Sequence, residues 1–176
     1  MLFILDRDGV INVESPDYIK SPDEWIPIPG SIEAIAQLSK AGHTVVIATN
    51  QSGLGRGLYD HATLEKIHQK MIDAVEVCGG KISKIYFCPH HPDDHCDCRK
   101  PKPGMLLQIM KDFSVTADQM IFIGDSDRDY GAARAVGCRF VLIKTGNGKK
   151  TAENLLQSES VLVFEDLAQA ARRLLA

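Results

Sequence analysis

With 176 residues, 44% hydrophobic and 24% charged, the chain suits one soluble globular domain, 1–176, with a sizeable core. Its net charge of −3 excludes a general attraction to nucleic acid or to an anionic membrane. No apolar run nears the roughly 20 residues of a membrane span, and no basic-then-apolar leader opens the sequence, so the expected location is the cytoplasm.

In chain order, the apolar run Leu2–Leu5 predicts a first strand, which stops at Asp6 and Asp8 in "DRDG". Ile32, Ile35 and Leu38 then share one face of a helix. Thr44–Ala48 predicts the second strand, closed by "TNQSG", Thr49 to Gly53. The overlapping "GLGRG" lacks the G-x-G-x-x-G spacing of a dinucleotide site. Leu64, Ile67, Met71 and Val75 mark the next helix, and Ile82–Phe87 the third strand. A polar, proline-rich loop from Cys88 to Gly104 leads to a helix carrying Leu106, Ile109, Met110 and Phe113. Met120–Ile123 predicts the fourth strand, ending in "GDSDRD", and Phe140–Ile143 the fifth. Val161–Phe164 reads as a short sixth strand before a last helix from about Glu165 to Leu175.

The strand runs are continuously apolar, as when both faces of a parallel sheet are covered. Strands alternating with helices predict an α/β fold: a three-layer, doubly wound parallel sheet with right-handed crossovers. Such folds bind ligands beyond the carboxyl ends of their strands, where the polar segments of this chain fall.

Asp6 and Asp8 at one strand end and Asp125 at another are expected to converge. Clustered carboxylates repel unless a cation neutralises them, and hard oxygen ligands suit Mg²⁺, which also takes phosphate oxygens. Each acidic cluster has a plainer reading as well. "DRDG" is ordinary turn chemistry, and "GDSDRD" a helix start with Asp125 or Ser126 as cap.

The five cysteines are odd in number and argue against a disulfide framework. Cys88, His90, Cys96 and Cys98 form C-x-H-x₅-C-x-C, a donor set for a closed structural Zn²⁺ site, with His91 and His95 as alternative ligands. Such a site would fold the loop and set Arg99 and Lys100 at the rim. Cys78 and Cys138, in apolar or glycine-flanked surroundings, read as packing residues.

These motifs together resemble a known family. "LDRDGV" matches the D-x-D-G-[TV] first motif of the haloacid dehalogenase-like (HAD) phosphohydrolases; Thr49, Lys100 and "GDSDRD" fit the other three, in the same order. The resemblance implies an enzyme in which Asp6 attacks phosphorus to form an aspartyl-phosphate and Asp8 is general acid and base. Thr49 and Lys100 would stabilise the phosphoryl group. It implies Mg²⁺ held by Asp6, the Asp8 carbonyl and Asp125, with Asp129 orienting water or Lys100. Arg7, pointed away from both acids by strand alternation, reads as structural. The spacings leave no room for a cap domain, so loops would carry specificity.

Two capless branches of the family carry such a zinc loop, one acting on heptose 1,7-bisphosphate in lipopolysaccharide precursor synthesis, the other on histidinol phosphate. The five-residue gap between His90 and Cys96 resembles the histidinol type, whereas "TNQSGLGRGLY" and "CRKPKPGM" resemble the heptose type. The implied substrate is a small sugar phosphate, the expected state a monomer. Tyr18, Asn50, Gln51 and Ser52 would line the sugar, a flap from Glu14 to Tyr18 would close over it, and Arg99 would recognise its second anion. Ser126 stands where some relatives have lysine, leaving open how that anion is held. Two non-enzymatic readings compete: a phosphoacceptor receiver domain, which lacks the second acid supplied here by Asp8, and a zinc-dependent binding module.

Overall fold

The computed structural model describes residues 1–155 and 161–176. Its strands are β1 (Leu2–Leu5), β2 (Thr44–Asn50), β3 (Lys84–Cys88), β4 (Met120–Gly124), β5 (Arg139–Ile143) and β6 (Leu162–Phe164). All pair in parallel, in the order β3-β2-β1-β4-β5-β6. The order reverses between β1 and β4, and at that switch point the two crossovers diverge and leave a crevice.

The helices are α1 (Ser31–Lys40), α2 (Ser52–Gly55), α3 (His61–Val77), α4 (Gly104–Phe113), α5 (Asp127–Val136), α6 (Gly148–Leu155) and α7 (Leu167–Leu174). Successive strand residues face opposite sides of the sheet. Phe3, Leu5, Val45, Ile47, Ile121 and Ile123 join Ile35, Leu38, Met71 and Leu167 in one core. Leu2, Ile4, Val46, Met120 and Phe122 join Met105, Leu106, Ile109 and Ala133 in the other. Both faces are buried, which is why the strands read as unbroken apolar runs rather than as alternation.

Three details depart from the sequence reading. β3 begins at Lys84 rather than Ile82, because Ile82 packs against the core from the preceding loop. The single-turn α2 carries too few residues for a helical period. Helix α6 buries little apolar surface, chiefly Ala152 and Leu155, so no hydrophobic stripe announced it. Among the described residues, the segment between β1 and β2 is a flap, a 3₁₀ turn at Pro22–Glu24 and α1, and no cap module is inserted.

Candidate active site

Leu5 is level with Ile47 and Ile123 across the sheet, so Asp6, Thr49 and Asp125 stand at one rim. Lys100 reaches this rim from the loop after β3. Its ammonium forms ion pairs with Asp6 Oδ1 at 2.9 Å and Asp129 Oδ1 at 2.6 Å, and donates to the Ala48 carbonyl at 2.8 Å. Burial disfavours the Lys100 charge, but Asp129 and Asp6 outweigh it and hold the pKa above the ordinary lysine value. Burial also opposes ionisation of Asp129, yet Lys100 and the Ser126 hydroxyl and N–H hold its carboxyl below the usual range.

The other two carboxylates go the opposite way. Burial, then the Asp129 charge, pushes Asp6 up to about 7 against the pull of Lys100. Burial, Asp6 and Asp129 push Asp125 up to about 8. One lysine does not neutralise this cluster. Oxygens of Asp6, Asp125 and Asp129 lie within 4.8 Å of one another and could hold a metal ion. Asp129 is committed to Lys100 and Ser126, so Asp6 and Asp125 form the open pair. This all-oxygen donor set with unbalanced negative charge fits Mg²⁺.

Asp125 sits against the loop after β5. It accepts the Asn147 main-chain N–H at 2.7 Å, and the Asn147 side chain bridges it to Glu14 of the flap. Gly146, at φ +56°, lies so close that a Cβ there would collide with Asp125 Oδ2 and the Gly9 Cα. Neither Gly146 nor Asn147 figured in the sequence reading. The available signal was "TGNG", a glycine-rich tract directly after a buried strand of the same sheet.

Asp8 is surrounded by donors, and Arg7 is the correction here. β1 ends at Leu5, the chain turns with the Arg7 carbonyl accepting from Ile11 and Asn12, and strand alternation no longer applies. The buried guanidinium curls back onto Asp8, with Nη2 3.0 and 3.1 Å from its two oxygens and Nε 3.1 Å from Oδ1. Its Nη1 lies 3.3 Å from His68 Nε2. Burial and then Arg7 push His68 down to about 3, so it is neutral. Asn12 and Gln51 donate to Asp8 at 2.9 and 3.0 Å. Burial works against the Asp8 charge, but Arg7 and these hydrogen bonds overcome it and hold the carboxyl below its usual range.

Gln51 links several of these groups. It donates to Thr49 Oγ1 at 2.9 Å and accepts from the Tyr59 hydroxyl at 2.7 Å. Because Thr49 Oγ1 accepts from Gln51, its own hydrogen is free to donate elsewhere. Asn50 is a brace: its amide exchanges hydrogen bonds with the Lys100 main chain, at 3.0 and 3.1 Å. Ser126 caps α5, and its hydroxyl donates to Asp129 at 2.7 Å.

Asp6, Asp8, Thr49, Gln51, Lys100 and Asp125 line a cavity of about 380 Å³ that also receives Glu14, Tyr18, Ser52, Arg56, Arg99 and Arg128. The flap residue Tyr18 faces the Arg56 guanidinium at 5.9 Å. Arg99 has a buried Nη1 with no hydrogen-bond partner. The walls are cationic where the floor is anionic, which suits a phosphorylated ligand bound through a metal.

In the loop after β3, Cys88 Sγ lies 3.6 Å from both His90 Nδ1 and Cys96 Sγ, Cys98 Sγ 3.6 Å from Cys96 Sγ, and His90 Nδ1 3.3 Å from Cys98 Sγ. A tetrahedral zinc site has S···S edges of about 3.8 Å and S···N edges of about 3.6 Å, given its usual bond lengths. The four donors nearly trace that tetrahedron. His91 Nδ1 instead accepts the Asp93 N–H, and His95 stands outside the cluster. Burial pushes the Cys88 and Cys98 thiols up. Cys78 and Cys138 pack against the two cores.

The chain matches the HAD-hydrolase-like family over residues 97–170. It is 58% identical over 174 residues to a D-glycero-beta-D-manno-heptose-1,7-bisphosphate 7-phosphatase of Pseudomonas aeruginosa, covering 99% of this chain and 97% of that protein. It superimposes on the crystal structure of D,D-heptose 1,7-bisphosphate phosphatase from B. bronchiseptica, complexed with magnesium and phosphate, with a TM-score of 0.96 and 52% identity, over 99% and 97% of the two chains. The D,D-heptose 1,7-bisphosphate phosphatase of Burkholderia thailandensis is similar at a TM-score of 0.79 and 43% identity, over 99% and 98%.

Proposed function

Because this chain belongs to the HAD-like phosphatases and is a phosphoric monoester hydrolase, we propose that it removes the 7-phosphate of D-glycero-D-manno-heptose 1,7-bisphosphate. The observation that carries the reading is the Asp6–Lys100–Asp129 cluster beside Asp125, under a cleft with arginines on its walls. The names of relatives covering 97% or more of their own length point to the same substrate.

In this reading Asp6 is the nucleophile. The Arg7 N–H, donating to Oδ1 at 2.7 Å, and Lys100 fix its carboxylate. A P–O bond forms to Asp6 as the P–O bond to C7 breaks. Asp8 gives its proton to the leaving alkoxide, then takes one from the water that hydrolyses the aspartyl-phosphate. The ligand-free site holds Asp8 ionised, and an incoming phosphate dianion opposes that state and raises its proton affinity. Thr49 donates to the transferring phosphoryl group, and Lys100 offsets its charge. Asp6, the Asp8 carbonyl and Asp125 would hold Mg²⁺, which would supply Lewis-acid polarisation of the phosphoryl oxygens. Asn50, Gln51 and Ser126 act mainly by bracing Lys100, Asp8 and Asp129, whereas Tyr18, Ser52 and Arg99 face the substrate.

Cys88, His90, Cys96 and Cys98 would hold Zn²⁺ as a structural ion. The enzyme would work as a cytoplasmic monomer in lipopolysaccharide precursor synthesis. The test is phosphate release with Mg²⁺ from heptose 1,7-bisphosphate and, side by side, histidinol phosphate. Preference for histidinol phosphate overturns the substrate; substantial turnover by Asp6→Asn overturns the mechanism.

A further inference from the structure

Tyr59 lies between α2 and α3, buried behind Gln51 rather than lining the cavity. Its ring is seated on Gly53, where a Cβ would collide with Tyr59 Cε1 and fall 2.8 Å from the hydroxyl oxygen. That close approach lets the hydroxyl donate to Gln51 Oε1 at 2.7 Å. Burial pushes the Tyr59 pKa up to about 12, so the hydroxyl keeps its hydrogen. The other end of the amide, Nε2, then serves Asp8 Oδ2 at 3.0 Å and Thr49 Oγ1 at 2.9 Å.

A carboxamide keeps almost the same shape when its oxygen and nitrogen trade places, but donors become acceptors. An ionised Asp8 resists that turn, because it only accepts hydrogen bonds. Asp8 carries a proton when it serves as general acid, and a protonated carboxyl donates as well. A turned Gln51 would then accept the Asp8 proton and the Thr49 hydroxyl hydrogen, the two hydrogens that the phosphoryl transfer uses. The turn would also cost Tyr59 its acceptor, since among the described residues its hydroxyl donates to Gln51 Oε1, and a buried unsatisfied hydroxyl is costly.

We propose that Tyr59 is a positioning residue that locks the Gln51 carboxamide in one orientation through the whole catalytic cycle, keeping the Asp8 proton and the Thr49 hydroxyl hydrogen aimed at the substrate. This rests on the roles of Asp8 and Thr49 given above. While Asp8 is ionised, Asp8 and Tyr59 both hold the amide. Once Asp8 is protonated, Tyr59 holds it alone. The loss of the Tyr59 hydroxyl is therefore felt most where the leaving group needs a proton, as an alkoxide does and a nitrophenolate does not.

The test uses the full chain loaded with both metals, with kcat/KM measured on heptose 1,7-bisphosphate and on p-nitrophenyl phosphate. Tyr59→Phe keeps the ring on Gly53, and the ratio between the two substrates is internal to each variant, so the folded fraction cancels. Tyr59→Phe is expected to lose about tenfold on the bisphosphate and less than about threefold on the aryl phosphate. In a Gln51→Leu background the same change should alter kcat/KM on the bisphosphate by less than about twofold, because the group it acts through is gone. Asp8→Asn is the reference and should lose far more on the bisphosphate than on the aryl phosphate. If Asp8→Asn discriminates but Tyr59→Phe loses nothing, loses equally on both substrates, or loses as much without Gln51, this proposal alone is overturned. If Asp8→Asn does not discriminate, the acid role of Asp8 falls and this proposal falls with it.

Discussion

Gly146→Ala isolates how closely the fold walls in Asp125. The new Cβ would sit at φ +56°, where L side chains cost about 1–2 kcal/mol. It would also overlap Asp125 Oδ2 and come within 2.7 Å of the Gly9 Cα, well inside ordinary contact. Relieving that overlap adds roughly 1–3 kcal/mol, the usual cost of overpacking. Together these give about 3 kcal/mol, or a Tm lower by about 6–12 °C in a chain of this size. The displaced group is Asp125, and a misplacement on the order of 1 Å costs about 100-fold in rate. The expected result is therefore a kcat/KM down about 100-fold and a raised Mg²⁺ requirement. Gly42→Ala is the control: its φ is +85°, yet nothing lies within 4 Å of the added Cβ. It should cost only the backbone strain, about 1 kcal/mol, with activity and Mg²⁺ dependence unchanged. Activity, Mg²⁺ titration and thermal melts on the two variants decide the matter. If Gly146→Ala matches Gly42→Ala in all three, the glycine wall does not position Asp125.

The raised carboxyls make stability depend on pH. Asp6 and Asp125 titrate near 7 and 8 in the fold but near 3.8 unfolded, so the native state binds more protons across that window. Their stabilisation is complete below about 4 and is lost as pH rises through 7 and 8. His68, pushed down to about 3, contributes the opposite slope only below its unfolded value of 6.5. Zinc-loaded, magnesium-free protein should therefore melt at lower temperature as pH goes from 6.5 to 8.5, and added Mg²⁺ should raise Tm most at the upper end. A magnesium-free Tm that climbs over this range contradicts the cluster's electrostatics. Arg7→Met should lower kcat at least about tenfold, because Asp8 loses its bidentate partner, and Arg7→Lys should recover only part of it. Wild-type kcat in Arg7→Met would mean that Asp8 needs no such anchor. Stripping zinc, or Cys98→Ser, should expose the Cys88–Gly104 loop to proteolysis and reduce activity by loosening Arg99 and Lys100. Full activity after complete zinc loss would break that link.

Much of the site was legible because of where its residues fall relative to apolar runs. Asp6, Thr49 and Asp125 each close or follow a buried strand, and a parallel sheet brings all such ends to one rim. The cysteine–histidine cluster was legible because four soft donors fall close together in a loop of prolines and aspartates too polar to bury them, and the structure brings the four together. Helix α6 was not legible, since a helix that buries mainly Ala152 and Leu155 leaves no period to count. Arg7 was misread for a physical reason: alternation holds only while the chain remains a strand, and β1 stops at Leu5.

From its residues alone, the chain determined the sheet, the motif order and the chemistry at the strand ends, because these follow from local periodicity and residue type. The tertiary structure alone decided which charges are balanced. Lys100 pairs Asp6 with Asp129, Arg7 returns to Asp8, Asn147 and Gly146 enclose Asp125, and among the described residues Arg99 keeps a buried Nη1 with no hydrogen-bond partner beside the cleft. Electrostatic pairing depends on distances of a few ångströms between segments far apart in sequence, and no spacing along the chain encodes those distances.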